Sequence, residues 1–267
     1  MPSVDASGTE LHYERAGTGE PLLLIQGMSA THLAWGKPFL GELERSFECI
    51  AFDNRGMGLS GRAELPFTIA DLAADTAGLL DALELEAAHV VGISMGGMIA
   101  QELALAHPER IRTLTIGASY CGGPGSALMA PEDLQMLGAA VASGEREQVF
   151  RAMWEINLSP GFREDDAHFG PFSEMAAALS SPQPVVMQQM RACAAHDTHE
   201  RLGGIDLPTL VVHGDADRLL GPANGRLIAS LIPGARLEML AGVGHMFWWE
   251  QPQGSAELIR EHALAAV

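Results

Sequence analysis

Short apolar runs recur along the chain, at Leu22 to Ile25, Cys49 to Phe52, His89 to Ile93, Thr113 to Ile116, Thr209 to Val212 and Leu237 to Leu240. Each has the length of a strand, and most are bounded by Gly, Pro or charged residues. An unbroken apolar run is what a strand covered on both faces requires. Between them lie segments with helical spacing, Ile69 to Leu85, Met95 to His107 and Gln253 to Ala266. This alternation predicts an α/β chain with a mostly parallel central sheet flanked by helices. Residues around Leu11 to Glu14 are expected to add an antiparallel edge hairpin.

The alternation breaks after Ala118, and roughly ninety residues pass before the strand at Thr209, far more than a crossover needs. Helical patterns at Asp133 to Ala142, Glu145 to Ile156, Phe172 to Leu179 and Pro184 to Ala195 are separated by Gly144, Ser159-Pro160-Gly161 and Ser180-Ser181-Pro182. The expected organisation is a core of residues 1–120 and 203–267, with residues 121–202 inserted after the sixth strand as a helical cap.

With 47% hydrophobic and 19% charged residues, the chain has the material for a large core without staples. Cys49, Cys121 and Cys193 are odd in number and lack ligand-like spacing, so small buried hydrophobes are expected rather than a disulfide framework or a zinc site. A formal charge of −18 and a single lysine, Lys37, exclude a nucleic-acid partner, because phosphate neutralisation needs clustered cations. The first residues lack a basic stretch followed by an apolar one, and no run reaches the roughly 18 apolar residues of a membrane span. A cytoplasmic protein acting on a small molecule is expected, without membrane or cofactor; the oligomeric state is not legible.

His89 to Met98 places Gly92-Ile93-Ser94-Met95-Gly96 directly after a strand and directly before a helix. In that context G-x-S-x-G describes a sharp turn that lifts a serine hydroxyl above the sheet edge. Small residues at 92 and 96 let neighbouring backbone pack against the turn, and the helix start aims the Met95 N–H at a developing oxyanion. A serine hydroxyl needs a base, and the base needs an orienting acid. Of the ten histidines, His245 lies in a glycine-flexible loop after the last strand. His213 ends a strand and is expected to hydrogen-bond locally, while His196 and His199 read as packing or surface groups, in HDTHE rather than the HExxH of a zinc protease. Asp215 and Asp217 both follow the Thr209 strand, and the residues alone leave the acid open between them.

Together with Leu24-Ile25-Gln26-Gly27-Met28, Asp53-Asn54-Arg55-Gly56-Met57-Gly58-Leu59-Ser60, Gly214-Asp215-Ala216-Asp217 and Gly244-His245, these segments resemble the α/β-hydrolase superfamily, specifically its capped esterase, lactonase and cofactor-free haloperoxidase-like group. The resemblance implies the α/β-hydrolase fold and covers nearly the whole chain. It selects Asp217 as the acid, with Asp215 as a turn acceptor. It agrees with His245 as the base, since His245, Glu250 and Pro252 match the family's G-H-x-x-x-x-E-x-P pattern, and it implies no metal or organic cofactor. The second oxyanion donor is then the Met28 N–H, beside that of Met95. Gln26 departs from the usual His-Gly, and Arg55 is expected to brace neighbouring loops.

The thirteen methionines, with Met153 and Met246 among them, suit an apolar, adaptable pocket. Gln26, His32, Trp35, Met153, Trp154 and Met246 are the candidate lining. The expected function is hydrolysis of an ester or lactone of a small, fairly hydrophobic, uncharged substrate through an acyl-enzyme on Ser94. Carbon–carbon bond hydrolysis, perhydrolysis and a non-catalytic ligand receptor stay open as alternatives on the same fold.

Overall fold

In the computed structural model, which describes residues 2–179 and 181–265, a hairpin of β1 (Ser3–Ala6) and β2 (Thr9–Gly17) comes first. It is followed by β3 (Glu20–Ile25), α1 (Lys37–Leu43), β4 (Phe47–Phe52), α2 (Ile69–Ala82), β5 (Ala88–Ile93), α3 (Met95–Ala106) and β6 (Ile111–Gly117). The helices α4 (Pro131–Ser143), α5 (Arg146–Asn157), α6 (Pro160–Arg163), α7 (Phe169–Ala177) and α8 (Gln183–Ala195) then intervene before β7 (Thr209–Gly214). Next come α9 (Ala223–Leu231), β8 (Arg236–Leu240), α10 (Phe247–Glu250) and α11 (Pro252–Leu264). The strands form one sheet in the order β1-β2-β4-β3-β5-β6-β7-β8. Only the β1–β2 and β2–β4 pairings are antiparallel. Ser180 and Ala266, placed by the sequence in a breaker and at the end of the last helix, lie outside the described residues.

Strand alternation divides the core in two. Leu23 and Ile25 of β3 join the cluster formed with α2, α3 and α9, while Leu22 and Leu24 join the opposite cluster, with Phe39 of α1 and Phe247 and Ile259 of α10 and α11. Helix α2 starts at a capping box: the Thr68 hydroxyl accepts the Asp71 N–H, and Asp71 Oδ2 accepts the Thr68 N–H at 2.7 Å.

Helices α1 and α9 are absent from the sequence expectation. Each carries an internal glycine, Gly41 or Gly225, that weakens intrinsic helicity. Packing overrides propensity in both, with Phe39 and Leu43 of α1 and Ile228 of α9 buried. No described helix is long and apolar enough to cross a membrane.

The inserted helices are tied to loops at the C-terminal ends of the strands. Asn157 O accepts the Met246 N–H at 3.0 Å, in the loop after β8. Gln189 Oε1 accepts the Ser29 N–H at 2.9 Å, and Ser181 Oγ donates to Ser29 O at 2.9 Å, in the loop after β3.

Candidate active site

Parallel β5, β7 and β8 bring Ser94, Asp217 and His245 to one edge of the sheet, since each residue follows the C-terminal end of its strand. Ser94 has φ 57° and ψ −119°, a conformation costly for a residue with a Cβ. Close packing imposes it. A Cβ on Gly92 would collide with Gly96 O, one on Gly96 with Ile25 O, and one on Gly97 would lie 2.6 Å from the Ser119 side chain. The Ser94 N–H donates to Gly117 O at 2.9 Å, and Ser119 Oγ donates to Ser94 O at 2.7 Å, which fastens the turn to β6 and its following loop.

Asp217 Oδ2 accepts His245 Nδ1–H at 2.8 Å, and Oδ1 accepts the N–H groups of Leu219 at 2.8 Å and Leu220 at 2.9 Å. Burial alone would raise the pKa of this enclosed carboxyl, but His245 and His213 outweigh it and hold the group down to about 2. His213, at the end of β7, makes the local hydrogen bond expected of it. Its Nε2 lies 3.1 Å from Asp217 Oδ2 and 2.6 Å from Leu220 O. Both neighbours are acceptors, so Nε2 carries hydrogen. A Cβ on Gly225 would fall 2.7 Å from His213 Nδ1, which gives that helical glycine its reason. Asp215 is exposed and accepts the Gly242 N–H at 2.6 Å.

The His245 loop is held by Glu250. Its Oε1 accepts the N–H groups of Gly244 at 2.9 Å and Ser159 at 2.7 Å, and its Oε2 accepts Ser159 Oγ–H at 2.6 Å. Among the described residues, neither Ser94 Oγ nor His245 Nε2 has a protein hydrogen-bond partner. The Met28 N–H is likewise unengaged, and the Met95 N–H, in the first turn of α3, has no intrahelical acceptor. Gly27 lies against the nucleophile, the position of a Cβ on it being 3.6 Å from Ser94 Oγ. This arrangement supplies a hydroxyl, an oriented imidazole and backbone donors at one sheet edge, the parts that acyl transfer needs.

Of the other candidate pocket residues, Trp35, Trp154 and Met246 share one buried cluster, with Met153 packed against it. His32 N–H and Nδ1–H both donate to Asp53 Oδ1, at 2.7 and 2.9 Å. Burial would raise the Asp53 pKa, but His32 and the Leu59 N–H lower it below the usual carboxylate range. Trp35 is fully enclosed in the core between Phe39 and Trp248, with ring centroids 5.7 and 5.8 Å away. Trp154 packs on Phe162, Phe169 and Phe172, with Met153 beside the same core cluster. Met246 is buried next to His245, and Gln26 is buried at the end of β3. Met187 and Met190 of the insert are exposed rather than turned inward. Arg55 clasps Asp75 through Nε at 2.5 Å and Nη2 at 2.6 Å. Among the described residues, His12, Glu14 and His32 form a group that could hold a metal ion, with ligand atoms within 4.8 Å of one another. Cys49, Cys121 and Cys193 are free, and burial raises all three thiol pKa values, those of Cys49 and Cys193 to about 12.

A poly(3-hydroxyalkanoate) depolymerase of Ectopseudomonas oleovorans is 32% identical over 242 residues, spanning 90% of this chain and 82% of its own. Rhodomycin D methylesterase DauP of Streptomyces sp. strain C5 is 29% identical over 306 residues, spanning 100% of this chain and 99% of its own. The solved structure of Est816, described as an N-acyl homoserine lactone degrading enzyme, superposes with a TM-score of 0.79 at 31% identity, covering 97% of this chain and 99% of that one. Residues 22–258 match the model described as the alpha/beta hydrolase family, and the chain belongs to that family.

Proposed function

We propose that the protein is a serine hydrolase that cleaves an ester or lactone of a small, uncharged, fairly hydrophobic substrate through an acyl-enzyme on Ser94. The observation that carries the reading is the 2.8 Å bond between His245 Nδ1 and Asp217 Oδ2 at the sheet edge where Ser94 occupies its constrained turn. The methylesterase and lactone-degrading names of two relatives support the same reaction class.

With Nδ1–H donated to Asp217, Nε2 of His245 carries the lone pair and serves as the base. Ser94 Oγ bonds to the substrate carbonyl carbon as its proton passes to His245 Nε2. The carbonyl oxygen takes the negative charge and is received by the N–H groups of Met28 and Met95. Collapse breaks the bond to the leaving oxygen, which takes the proton from His245. Water then attacks the acyl-enzyme with His245 again as base, and the acid product and free Ser94 result. Each backbone donor contributes about 3 kcal/mol to the transition state. Asp217, ionised down to a pH of about 2, stabilises the imidazolium throughout the working range.

The test is labelling and turnover together. A p-nitrophenyl phosphonate is expected to modify Ser94, located by peptide mass, and Ser94→Ala should lower kcat on a p-nitrophenyl ester by ~10³-fold or more. Retention of activity within tenfold in the variant, or a label on another residue, removes Ser94 from the mechanism.

A further inference from the structure

Strand alternation sets His12 and Glu14 on one face of β2, with Leu11 and Tyr13 on the other, turned to the core cluster that contains α2 and α3. His32, in the short helical turn after the β3 loop, stands against them, its ring centroid 4.9 Å from that of His12. One ligand atom from each of His12, Glu14 and His32 lies within 4.8 Å of the others.

Three features set this group apart from ordinary packing. The His12 side chain is 1% exposed, and neither of its ring nitrogens has a hydrogen-bond partner among the described residues. Its Nε2 lies 3.4 Å from Glu14 Oε1, yet the two make no hydrogen bond. A buried imidazole left unmatched in this way is rare and calls for a reason. His32, by contrast, is oriented from behind. Its Nδ1–H and its backbone N–H both donate to Asp53 Oδ1, at 2.9 and 2.7 Å, which leaves Nε2 with the lone pair of the ring. A carboxylate in that position is the usual outer partner of a metal-bound histidine. Glu14, finally, has no Arg or Lys partner among the described residues, since the neighbouring Arg15 pairs with Glu48 at 2.7 Å.

We infer that His12, His32 and Glu14 form a binding site for a divalent transition-metal ion, with zinc as the best fit. Two imidazoles and one carboxylate are a donor set that zinc accepts, whereas calcium and magnesium take oxygen ligands. Tetrahedral zinc with arms of about 2.0–2.1 Å sets its ligand atoms about 3.3 Å apart. The His12–Glu14 pair already has that spacing, and a small closure brings His32 to it, with water in the fourth position. Access to the enclosed Nε2 of His12 runs through Glu14, whose side chain is 49% exposed. Its carboxylate swings outward, takes the ion from solvent and returns with it to the place beside Nε2. An ion held there joins edge strand β2 to the segment that follows the oxyanion loop and braces that end of the sheet. The inference is independent of the serine-hydrolase reading.

The experiment titrates the full chain, freed of metal by dialysis against a chelator, with zinc chloride in a calorimeter. The wild type should bind one equivalent, and free zinc at about a hundredfold excess over Kd should raise the thermal midpoint by about 5 °C or more. Glu14→Gln, a change on an exposed side chain, and His32→Gln should each weaken that binding by about tenfold or more, at least what the loss of an outer partner costs. Cobalt titrated in place of zinc reads the geometry: the visible absorption of four-coordinate cobalt is expected in the wild type and should vanish in both variants. Absence of stoichiometric binding by the wild type overturns the proposal. So does equal affinity and equal cobalt absorption in wild type and Glu14→Gln, which would place the ion on other side chains. Should His32→Gln fail to fold, Glu14→Gln alone decides.

Discussion

Nε2 of His213 stands 3.1 Å from Oδ2 of Asp217, the same oxygen that receives His245 Nδ1–H at 2.8 Å. Two imidazoles from neighbouring loops and strands therefore share one carboxylate oxygen. The N–H of His213 disperses the negative charge that faces His245 and limits rotation of the carboxylate. Replacing it with an apolar side chain should free the carboxylate to rotate and loosen its hold on the His245 ring. His213→Leu is expected to lower kcat by ~10-fold with KM little changed, and His213→Gln, which keeps a donor near the Nε2 position, should restore most of the loss. Equal kcat for wild type and His213→Leu would reduce His213 to a packing group.

Glu250 couples the candidate base to the inserted helices. Its carboxylate receives Gly244 N–H, one residue before His245, together with the N–H and hydroxyl of Ser159 between α5 and α6. Glu250→Ala leaves three part-buried donors unmatched, at about 1 kcal/mol or more each. A loss of stability of ~2–4 kcal/mol is expected in urea titration, with kcat falling further than KM changes, because the loop bearing His245 loosens. Ser159→Ala removes only the hydroxyl and should cost about 1 kcal/mol. Equal stability of Glu250→Ala and wild type would show that the clasp contributes nothing.

Much of this arrangement is legible before folding, and the legible part has a common physical origin. The sheet is announced by continuous apolar runs, because a strand covered on both faces has no polar side to interrupt it, and Leu22 to Ile25 shows this most simply. Ser94 is announced by the glycines at 92 and 96, because carbonyl oxygens of Gly96 and Ile25 occupy the space their side chains would need. What escapes is whatever depends on a contact between distant segments. Gln189 lies on α8 between Gln188 and Met190 and gives no local sign that its oxygen reaches Ser29. His213 looks like an ordinary strand-end residue until the turn at Gly214 folds Asp217 back onto it. His32 reads as a pocket candidate from its position after the β3 loop and Trp35 as an aromatic wall, and the folded chain encloses Trp35 among aromatic side chains and fixes His32 on Asp53.

Acid sensitivity should trace in part to His196, at the end of α8. Burial carries its pKa from the usual 6.5 down to about 4. The folded protein therefore keeps this ring neutral where the unfolded chain would protonate it. The stabilisation is complete above pH 6.5 and is lost as the pH falls through the folded value near 4, amounting to roughly 3 kcal/mol over that window. His196→Gln should show a shallower decline of urea midpoint between pH 6.5 and 4 than the wild type. Parallel declines would locate the acid-sensitive group elsewhere.

The last test separates stability from activity at the nucleophile itself. Ser94 sits at φ 57° and ψ −119°, in a region that glycine enters freely and a residue with a Cβ enters at a cost of about 1–3 kcal/mol. Ser94→Ala removes the hydroxyl but keeps the Cβ, so the strain stays. Ser94→Gly removes both. Part of the relief is offset by the greater freedom of glycine in the unfolded chain, about 0.4–1 kcal/mol. The net gain expected for Ser94→Gly over Ser94→Ala is about 1 kcal/mol, or ~2–4 °C in thermal midpoint by scanning calorimetry, with ester hydrolysis abolished in both. A glycine variant that melts at or below the alanine variant would mean that the turn stores no strain, and the constrained geometry of Ser94 would then have to be attributed to the packing of Gly92 and Gly96 at no energetic cost to the serine.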